Sequence, residues 1–471
     1  MSLQFITGNS GNGKTKYLFN RIVKEAKANP RDNYLVIVPE QFTMQTQRQL
    51  VDLSENKAIM NIDVLSFKRL AYRVFDELGI TNLTVLEETG KNLVLRKLAA
   101  QEADKLGVIG RNLNRIGYIS EVKSLLSELV QYNISPEELG RYIASGRLSD
   151  TLSDKLKDVL VLYEAFEKFM QDKYITAEEI LNVLSNVAEE SAILRNSVIA
   201  FDEFTGFTPI QNQLIKKLFV ISKKIYVTLT IDCREDIFKS RGMQELFDMP
   251  KRTVKSLTEM AAFYGIEVEE PIILDKNYRL AENEELSFME QQLFRKRRCS
   301  FKKVPKHIHI DCLRDPKQEL TKIARRINEL VRNENLRYRD IAIVTGDVNI
   351  YAGYVREIFD KYNIPYFIDA TQEILFHPFI EFIRSIPDIA AQHFSADAVF
   401  RFLRCGFSEL LDSEIDVLEN YVLACGVRGK SAWDKKWVRL PKHKAGYDIE
   451  LLNQSREYIM ELLKPVYQVF S

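Results

Sequence analysis

Apolar residues in the N-terminal part of the chain come in short unbroken runs separated by stretches of helical period. Leu3-Gln4-Phe5-Ile6-Thr7, Asn33-Tyr34-Leu35-Val36-Ile37-Val38-Pro39 and Ile62-Asp63-Val64-Leu65-Ser66-Phe67 have the length of strands. Runs of this kind, alternating with helical patterns, predict parallel strands buried on both faces. The alternation resumes at Ser197 to Phe204 and at Lys224 to Asp232. Between these two parts, glycine thins and helical periods dominate: Asn92 to Glu102, Arg115 to Tyr132, Leu152 to Lys173 and Ala177 to Asn186. Ser135-Pro136-Glu137-Glu138 and Thr176-Ala177-Glu178-Glu179 place a capping residue ahead of first-turn acids, as helix starts do. The pattern predicts an α/β core made of residues 1–84 and 193–275, interrupted by an all-helical insertion over 85–192 whose charges form solvated faces.

A second alternation follows. His307 to Cys312, Asp340 to Thr345 and Ile364 to Asp369 read as strands around helices at Lys317 to Arg332 and Tyr351 to Tyr362. From His377 the pattern is helical to Ser471. A second, incomplete α/β domain over 276–380 and the start of a second helical insertion over 381–471 are expected. The basic run Phe294 to Lys303 near the junction is either a phosphate-contacting patch or a solvated linker. Trp433 and Trp437, near Lys430, Lys435, Lys436 and Arg439, offer stacking groups beside cations, or ordinary amphipathic packing. His307 and His309 share one side of their strand without a third ligand, which favours a surface face over a metal pair.

Composition changes this picture only at its edges. With 471 residues, 46% hydrophobic and 28% charged, the chain is globular and suits roughly three domains. Zero formal net charge removes any global field for nucleic acid but leaves room for a local basic lining. No apolar run approaches the roughly 20 residues of a membrane span, and the N-terminus lacks the order of a signal peptide. Cys233, Cys299, Cys312, Cys405 and Cys425 contain no C-x-x-C pair, which suits reduced, buried thiols and a cytoplasmic setting.

The chemistry sits at two strand ends. Gly8-Asn9-Ser10-Gly11-Asn12-Gly13-Lys14-Thr15 is the pattern G-x-x-x-x-G-K-[ST] between a strand and a helix, the context that a phosphate-cradling P-loop requires. Its glycines let backbone N–H groups face phosphate oxygens, and the helix N-terminus adds its positive dipole end. Lys14 would reach the β/γ-phosphates of ATP and the Thr15 hydroxyl would hold Mg²⁺. Phe201-Asp202-Glu203-Phe204 closes the fourth strand. Asp202 would hold the Mg²⁺ through its water shell, and Glu203 would polarise the attacking water.

Taken together, these stretches resemble superfamily 1 helicases of the UvrD/RecB type, over nearly the whole chain. The resemblance implies two RecA-like domains, each with a helical insertion. Val38-Pro39-Glu40-Gln41-Phe42-Thr43 stands where that group has a DNA-contacting loop. Lys276-Asn277-Tyr278-Arg279 is similar to its Asn-Tyr-Arg motif, which implies a γ-phosphate contact for Arg279. Tyr338 to Val344 with Asn363 to Tyr366 is similar to its second motor domain. Pro39 to Thr43 and Phe201 to Phe207 most resemble the AddB family, whose members form one half of the AddAB helicase–nucleases. That resemblance implies an AddA-type partner, DNA ends and single-stranded tails as ligands, Chi recognition, and a role in double-strand break repair by homologous recombination. The family's nuclease domain with its iron–sulfur cluster lies in a C-terminal part that nothing here matches, so the chain is expected to be the N-terminal part of a longer protein.

The sequence also departs from the pattern of active motors. Thr205 stands where they have glutamine, their third motif is reduced to Thr230-Ile231-Asp232, and no adenine-reading glutamine motif precedes Gly8. The late motifs with a second arginine finger are absent. These departures imply an ATP-binding DNA scanner more than a motor, with weak ATPase activity in isolation. The alternatives are a non-enzymatic DNA-binding scaffold with a vestigial P-loop, and a small-molecule kinase, which the second α/β unit disfavours.

Overall fold

The computed structural model describes residues 1–81, 84–108, 116–145, 148–171, 174–295, 299–369, 374–441 and 447–470. Along the chain, β1 (Ser2–Gly8) leads through α1 (Lys14–Ala28), β2 (Tyr34–Ile37), α2 (Thr43–Leu53) and β3 (Ile62–Leu65) to α3 (Phe67–Leu78). The insertion comprises β4 (Val85–Leu86), α4 (Glu88–Gln101), α5 (Ile116–Gln131), α6 (Pro136–Ala144), α7 (Asp150–Met170), β5 (Ile175–Thr176) and α8 (Ile180–Val187). The chain returns through β6 (Val198–Phe201), α9 (Pro209–Ile221), β7 (Lys224–Thr230), α10 (Asp248–Phe263), β8 (Glu267–Val268), β9 (Ile272–Leu274) and α11 (Glu284–Gln292).

Seven of these strands form one parallel sheet in the order β3-β2-β6-β7-β1, among the described residues, with β8 and β9 sharing the outer edge of β1. β1 runs beside β7 with Ser2 opposite Lys224 and Gly8 opposite Thr230. Side chains alternate across the sheet as the strand period demands. Leu3, Phe5, Leu35, Ile37, Ile199 and Phe201 face α3, α8, α9 and α10. Ile6, Tyr34, Val36, Val198, Ala200 and Tyr226 face α1 and α2 on the other side. Helices on both faces explain why these strands are apolar without interruption. All of the strand ends that carry candidate chemistry emerge at one edge, where open parallel sheets place their ligands.

The insertion packs around its own core of Leu95, Leu98, Ile119, Leu126, Leu162, Tyr163 and Phe166. Ser135 and Glu138 exchange the reciprocal bonds of a capping box at α6, as the sequence predicts. Thr176 and Glu179 do the same, but α8 starts only at Ile180. The insertion is not entirely helical. Val85 and Leu86 pair in parallel with Ile175 and Thr176, a short ladder that joins its entry to its exit. Beside that ladder, Lys91 is buried and paired with Glu178 at 2.7 Å and Glu88 at 2.9 Å. Predicted helix ends at Arg115 and Lys173 lie outside the described residues.

The chain divides into two compact units, Met1–His309 and Ile310–Ser471. The segment from Lys276 to His309, expected in a second domain, belongs to the first. The second unit contains α12 (Pro316–Asn333), α13 (Val348–Lys361), α14 (Pro378–Ala391), α15 (Ala396–Leu403), α16 (Asp412–Cys425), α17 (Lys430–Asp434) and α18 (Ile449–Phe470). The three runs read as strands at 307–312, 340–345 and 364–369 form no strand among the described residues. Ile310, Val344 and Phe367 are 93%, 92% and 89% exposed. A helix satisfies its backbone groups within itself, whereas a strand needs a neighbour, and no described strand lies beside these runs. α12 and α13 therefore pair through Leu320, Ala324, Ile327, Ile358 and Phe359 without a sheet beneath them.

Trp433 and Trp437 do not form a stacking surface. Both are buried, in a cluster with Phe400, Leu418, Tyr421 and Ile459. Buried Arg456 donates to the Trp433 carbonyl at 2.9 Å, and Asn453 bonds both backbone groups of Trp437. The packing alternative holds. His307 and His309 are exposed, and no metal-binding group of His, Cys, Asp and Glu occurs among the described residues. The five cysteines are free, with Cys299 and Cys312 exposed rather than buried. No helix of the described residues is long and apolar enough to cross a membrane. Trp433→Ala is expected to cost about 3–5 kcal/mol in the second unit, read as a lowered urea midpoint followed by the fluorescence of Trp437.

Candidate nucleotide site at the P-loop

At the end of β1 the backbone must turn from strand to helix while other segments press against it. A Cβ at Gly8 would lie 2.5 Å from the Leu274 carbonyl oxygen of β9. At Gly11, where φ is +89°, it would lie 2.8 Å from both Arg279 Cβ and Asn277 Oδ1. Only glycine fits such close approaches at such a φ. The segment Asn277–Arg279 straps the loop: the Tyr278 N–H donates to the Gly11 carbonyl at 3.0 Å, and the Asn277 amide donates to the Ser10 carbonyl at 2.9 Å.

The two loop asparagines tie the turn to its surroundings. Asn12 donates to the Leu274 carbonyl at 2.6 Å. Asn9 donates to Glu290 of α11 at 2.7 Å and accepts from the Cys233 N–H at 2.9 Å. With side chains and carbonyls held this way, the loop's remaining N–H groups at the start of α1 can serve an anion. Lys14 folds back over the loop and donates to the Gly8 and Asn9 carbonyls, each at 3.0 Å. Burial pushes its pKa below the ordinary lysine value and Arg279 adds to the effect, while Asp202 and Glu203 oppose it.

Asp202 follows directly after β6, and its N–H extends the ladder to the Ile37 carbonyl at 3.1 Å. Its carboxylate is 1% exposed. Thr228 of β7 donates to one oxygen, and the other has no partner. Burial raises the Asp202 pKa above the ordinary carboxylate value and Glu203 pushes the same way, against hydrogen bonds from Thr228 and Thr15. Glu203 sits in the left-handed region, φ +64°, with Thr15 Oγ1 donating to it at 3.4 Å. A hydroxyl on Thr15 and an unpartnered buried oxygen on Asp202 form the donor set that Mg²⁺ takes when phosphates and waters complete its octahedron. The residues present fit that ion.

A cavity of about 710 Å³ lies over the loop and is lined by Lys14, Thr15, Asp202, Glu203 and Arg279, among others. The structure thus brings together the expected residues Gly8 to Thr15, Asp202, Glu203 and Arg279. The Arg279 side chain is exposed and forms no ion pair among the described residues. Thr205 and Thr230 also line the cavity. Asp232 does not: Arg234 and Arg295 grip it at 2.6 and 2.7 Å. Burial pushes its pKa up, but the bonds from Arg234 and the charge of Arg295 outweigh this and hold it below the ordinary value. Arg295 also lies over the Phe247 ring, so the start of the basic run is structural. Lys296, Arg297 and Arg298 lie outside the described residues.

A second cavity of about 310 Å³ opens at the tops of β2, β3 and β6, lined by Pro39, Glu40, Phe67 and Phe204. Phe67, Phe201, Phe204 and Phe207 pack there with ring centroids 5.2 to 6.3 Å apart. Sequence reasoning found the loop Val38–Thr43 but missed this aromatic group, because its members come from two strand ends far apart in the chain.

A parallel sheet with a Gly-Lys-Thr loop after β1, an acid after β6, and a helical insertion between β3 and β6 is a RecA-like core of the P-loop class. The chain belongs to the AddB N-terminal family, whose model, described as "ADDB, N-terminal", matches residues 5–290. Over its full length it is 38% identical to the AddB-type chain of the ATP-dependent helicase/deoxyribonuclease of Lachnoclostridium phytofermentans and 33% identical to that of Clostridium tetani. Over 94% of its length it is 31% identical to that of Acetivibrio thermocellus. The chain spans 41%, 41% and 39% of these proteins, respectively.

Two outcomes are expected from this geometry. A carboxylate with a raised pKa contributes stability that is complete below its ordinary range and lost as pH rises through the raised value. Asp202→Asn removes that loss, so the variant should be more stable than wild type at about pH 8, with the gain vanishing towards about pH 4. Urea midpoints across that range check it. Gly11→Ala should cost about 1–3 kcal/mol, because the added Cβ strains the turn and pushes against the strap. The same denaturation measurement reads it.

Proposed function

We propose that this chain is the helicase-like N-terminal region of the AddB-type component of an ATP-dependent helicase/deoxyribonuclease, and that it binds ATP·Mg²⁺ at Gly8 to Thr15. The observation that carries the nucleotide reading is the unpartnered Asp202 oxygen, buried beside the Thr15 hydroxyl and the Lys14 ammonium. A buried carboxylate oxygen without a partner is costly unless a ligand completes it. Lys14 would exchange its bonds to the Gly8 and Asn9 carbonyls for phosphate oxygens. Thr15 and Asp202 would hold Mg²⁺, which supplies charge neutralisation at the phosphates. Glu203 would orient a water, and exposed Arg279 would reach the terminal phosphate.

The reading extends to partners through the relatives, which are named as helicase/deoxyribonuclease subunits. An AddA-type chain and DNA are the expected partners, with the aromatic cavity at Pro39 to Phe204 meeting a single strand by stacking. The segments over 276–380 and 381–471 would belong to a second RecA-like domain and its helical insertion. Scanning for Chi during recombinational repair in the cytoplasm, rather than driving translocation, suits the Thr205 substitution and the engagement of Asp232 by two arginines. A non-enzymatic DNA-binding scaffold with an inert P-loop is the second reading, and the Lys14 bonds to its own loop favour it.

Equilibrium binding of a fluorescent ATP analogue with Mg²⁺ separates the two. Lys14→Ala should weaken binding at least about tenfold, since charge-assisted bonds of this kind are worth about 1.5–3 kcal/mol each. Binding that is equal in both proteins, or absent from both, supports the scaffold. Steady-state turnover of this chain alone should fall well below the roughly 1–100 s⁻¹ of ordinary phosphoryl-transfer enzymes, and a rate within that range would refute the scanning role.

A further inference from the structure

The cavity over the P-loop has a second end. From Thr15 it continues past Lys16 and Phe19 of α1 to Gln49, Asp52 and Leu53 of α2. Positions 49, 52 and 53 are spaced i, i+3 and i+4, so they share one face of α2. Leu50, on the adjoining face, is fully buried in the core that α2 shares with Leu18, Phe19 and Ile22 of α1. That packing fixes the direction of the Gln49 face.

The two ends differ in chemistry. One gathers Lys14 and Arg279 over the glycine turn, where a terminal phosphate belongs. The other offers a carboxamide, a carboxylate and the apolar edge of Leu53. A carboxylate there repels phosphate but accepts from sugar hydroxyls, as acidic residues do in dinucleotide sites. The Gln49 side chain is exposed and forms no hydrogen bond among the described residues, so its donor and acceptor are both free. A glutamine amide pairs with the N6 donor and N7 acceptor of adenine, whereas guanine presents two acceptors on that edge. Gln4, the sole glutamine ahead of the P-loop in the sequence, cannot serve. It is buried within β1 and donates to the Glu270 carbonyl at 3.0 Å.

We infer that α2 supplies the nucleoside end of the site, with Gln49 reading the adenine edge and Asp52 accepting from the ribose hydroxyls. The inference rests on the proposed nucleotide site and assigns its base specificity to a helix outside the P-loop motifs.

The test is calorimetric titration of this chain with the Mg²⁺ complexes of ATP, GTP, 2′,3′-dideoxy-ATP and inorganic tripolyphosphate. Wild type, Lys14→Ala, Gln49→Ala and Asp52→Ala are compared, with thermal melts to show that each is folded. Wild type should prefer ATP over GTP about tenfold. Gln49→Ala should lose that preference while holding tripolyphosphate as wild type does. Asp52→Ala should bind ATP and dideoxy-ATP alike, where wild type favours ATP. A preference for ATP that persists in Gln49→Ala, or a wild type indifferent to the base, overturns this inference and leaves the phosphate site standing. Tripolyphosphate and nucleotides bound equally by wild type and Lys14→Ala, or by neither, overturn the nucleotide site itself and this inference with it.

Discussion

The arrangement around β1 depends on backbone meeting backbone without side chains between. Gly8 lets β9 lie against the last residue of β1, and Gly11 lets the Asn277–Arg279 strap cross the turn. Once those contacts are made, Asn12 and Asn277 find carbonyls within hydrogen-bond reach, and Arg279 is delivered to the mouth of the cavity. A single methyl group at either glycine would displace elements separated from it by more than two hundred residues of chain. The loop is therefore as much a packing joint as a ligand cradle, and its two asparagines belong to the joint.

Asp202 shows the opposite balance, in which stability yields to chemistry. Its position at the end of a fully buried strand removes water from its carboxylate, and only Thr228 and the neighbouring Thr15 hydroxyl offset the loss. Natural sites accept such costs where a ligand later completes the shell. Glu203, held at positive φ directly after it, adds a second local cost at the same turn. Two unfavourable conformations side by side, in a sheet that is otherwise regular, set this strand end apart from the other strand ends of the sheet.

Much of this was legible in the sequence, and the exceptions have physical reasons. The strands β1, β2, β6 and β7 are apolar on both faces because helices cover both, so they stand out as unbroken runs. β8 and β9 are two and three residues long at the sheet edge, too short and too mixed to leave a pattern. Asp202, Glu203 and the P-loop follow strand ends directly and were found by position. Arg279 came from a resemblance to a motif, not from spacing. Gln49, Asp52 and the phenylalanine group were missed because helix packing and sheet order, neither written in local pattern, bring them together. The unpaired runs at 307–312, 340–345 and 364–369 mark the converse case. Their apolar character satisfies a local criterion for strands, yet ladder formation is a property of neighbours.

The sheet order also dictates a sequence of events during synthesis. β2 and β3 are made close together and can pair at once. β1, the first strand out of the ribosome, has β7, β8 and β9 as its only described neighbours, and its register with β7 begins opposite Lys224. The nascent P-loop therefore waits, with an apolar strand uncovered, through the translation of the whole helical insertion. At about 5–20 residues per second that delay lasts roughly ten seconds or more. The stretch that carries the chemistry is the first to be made and among the last to be secured, which makes it a natural client for a chaperone that shields extended apolar segments.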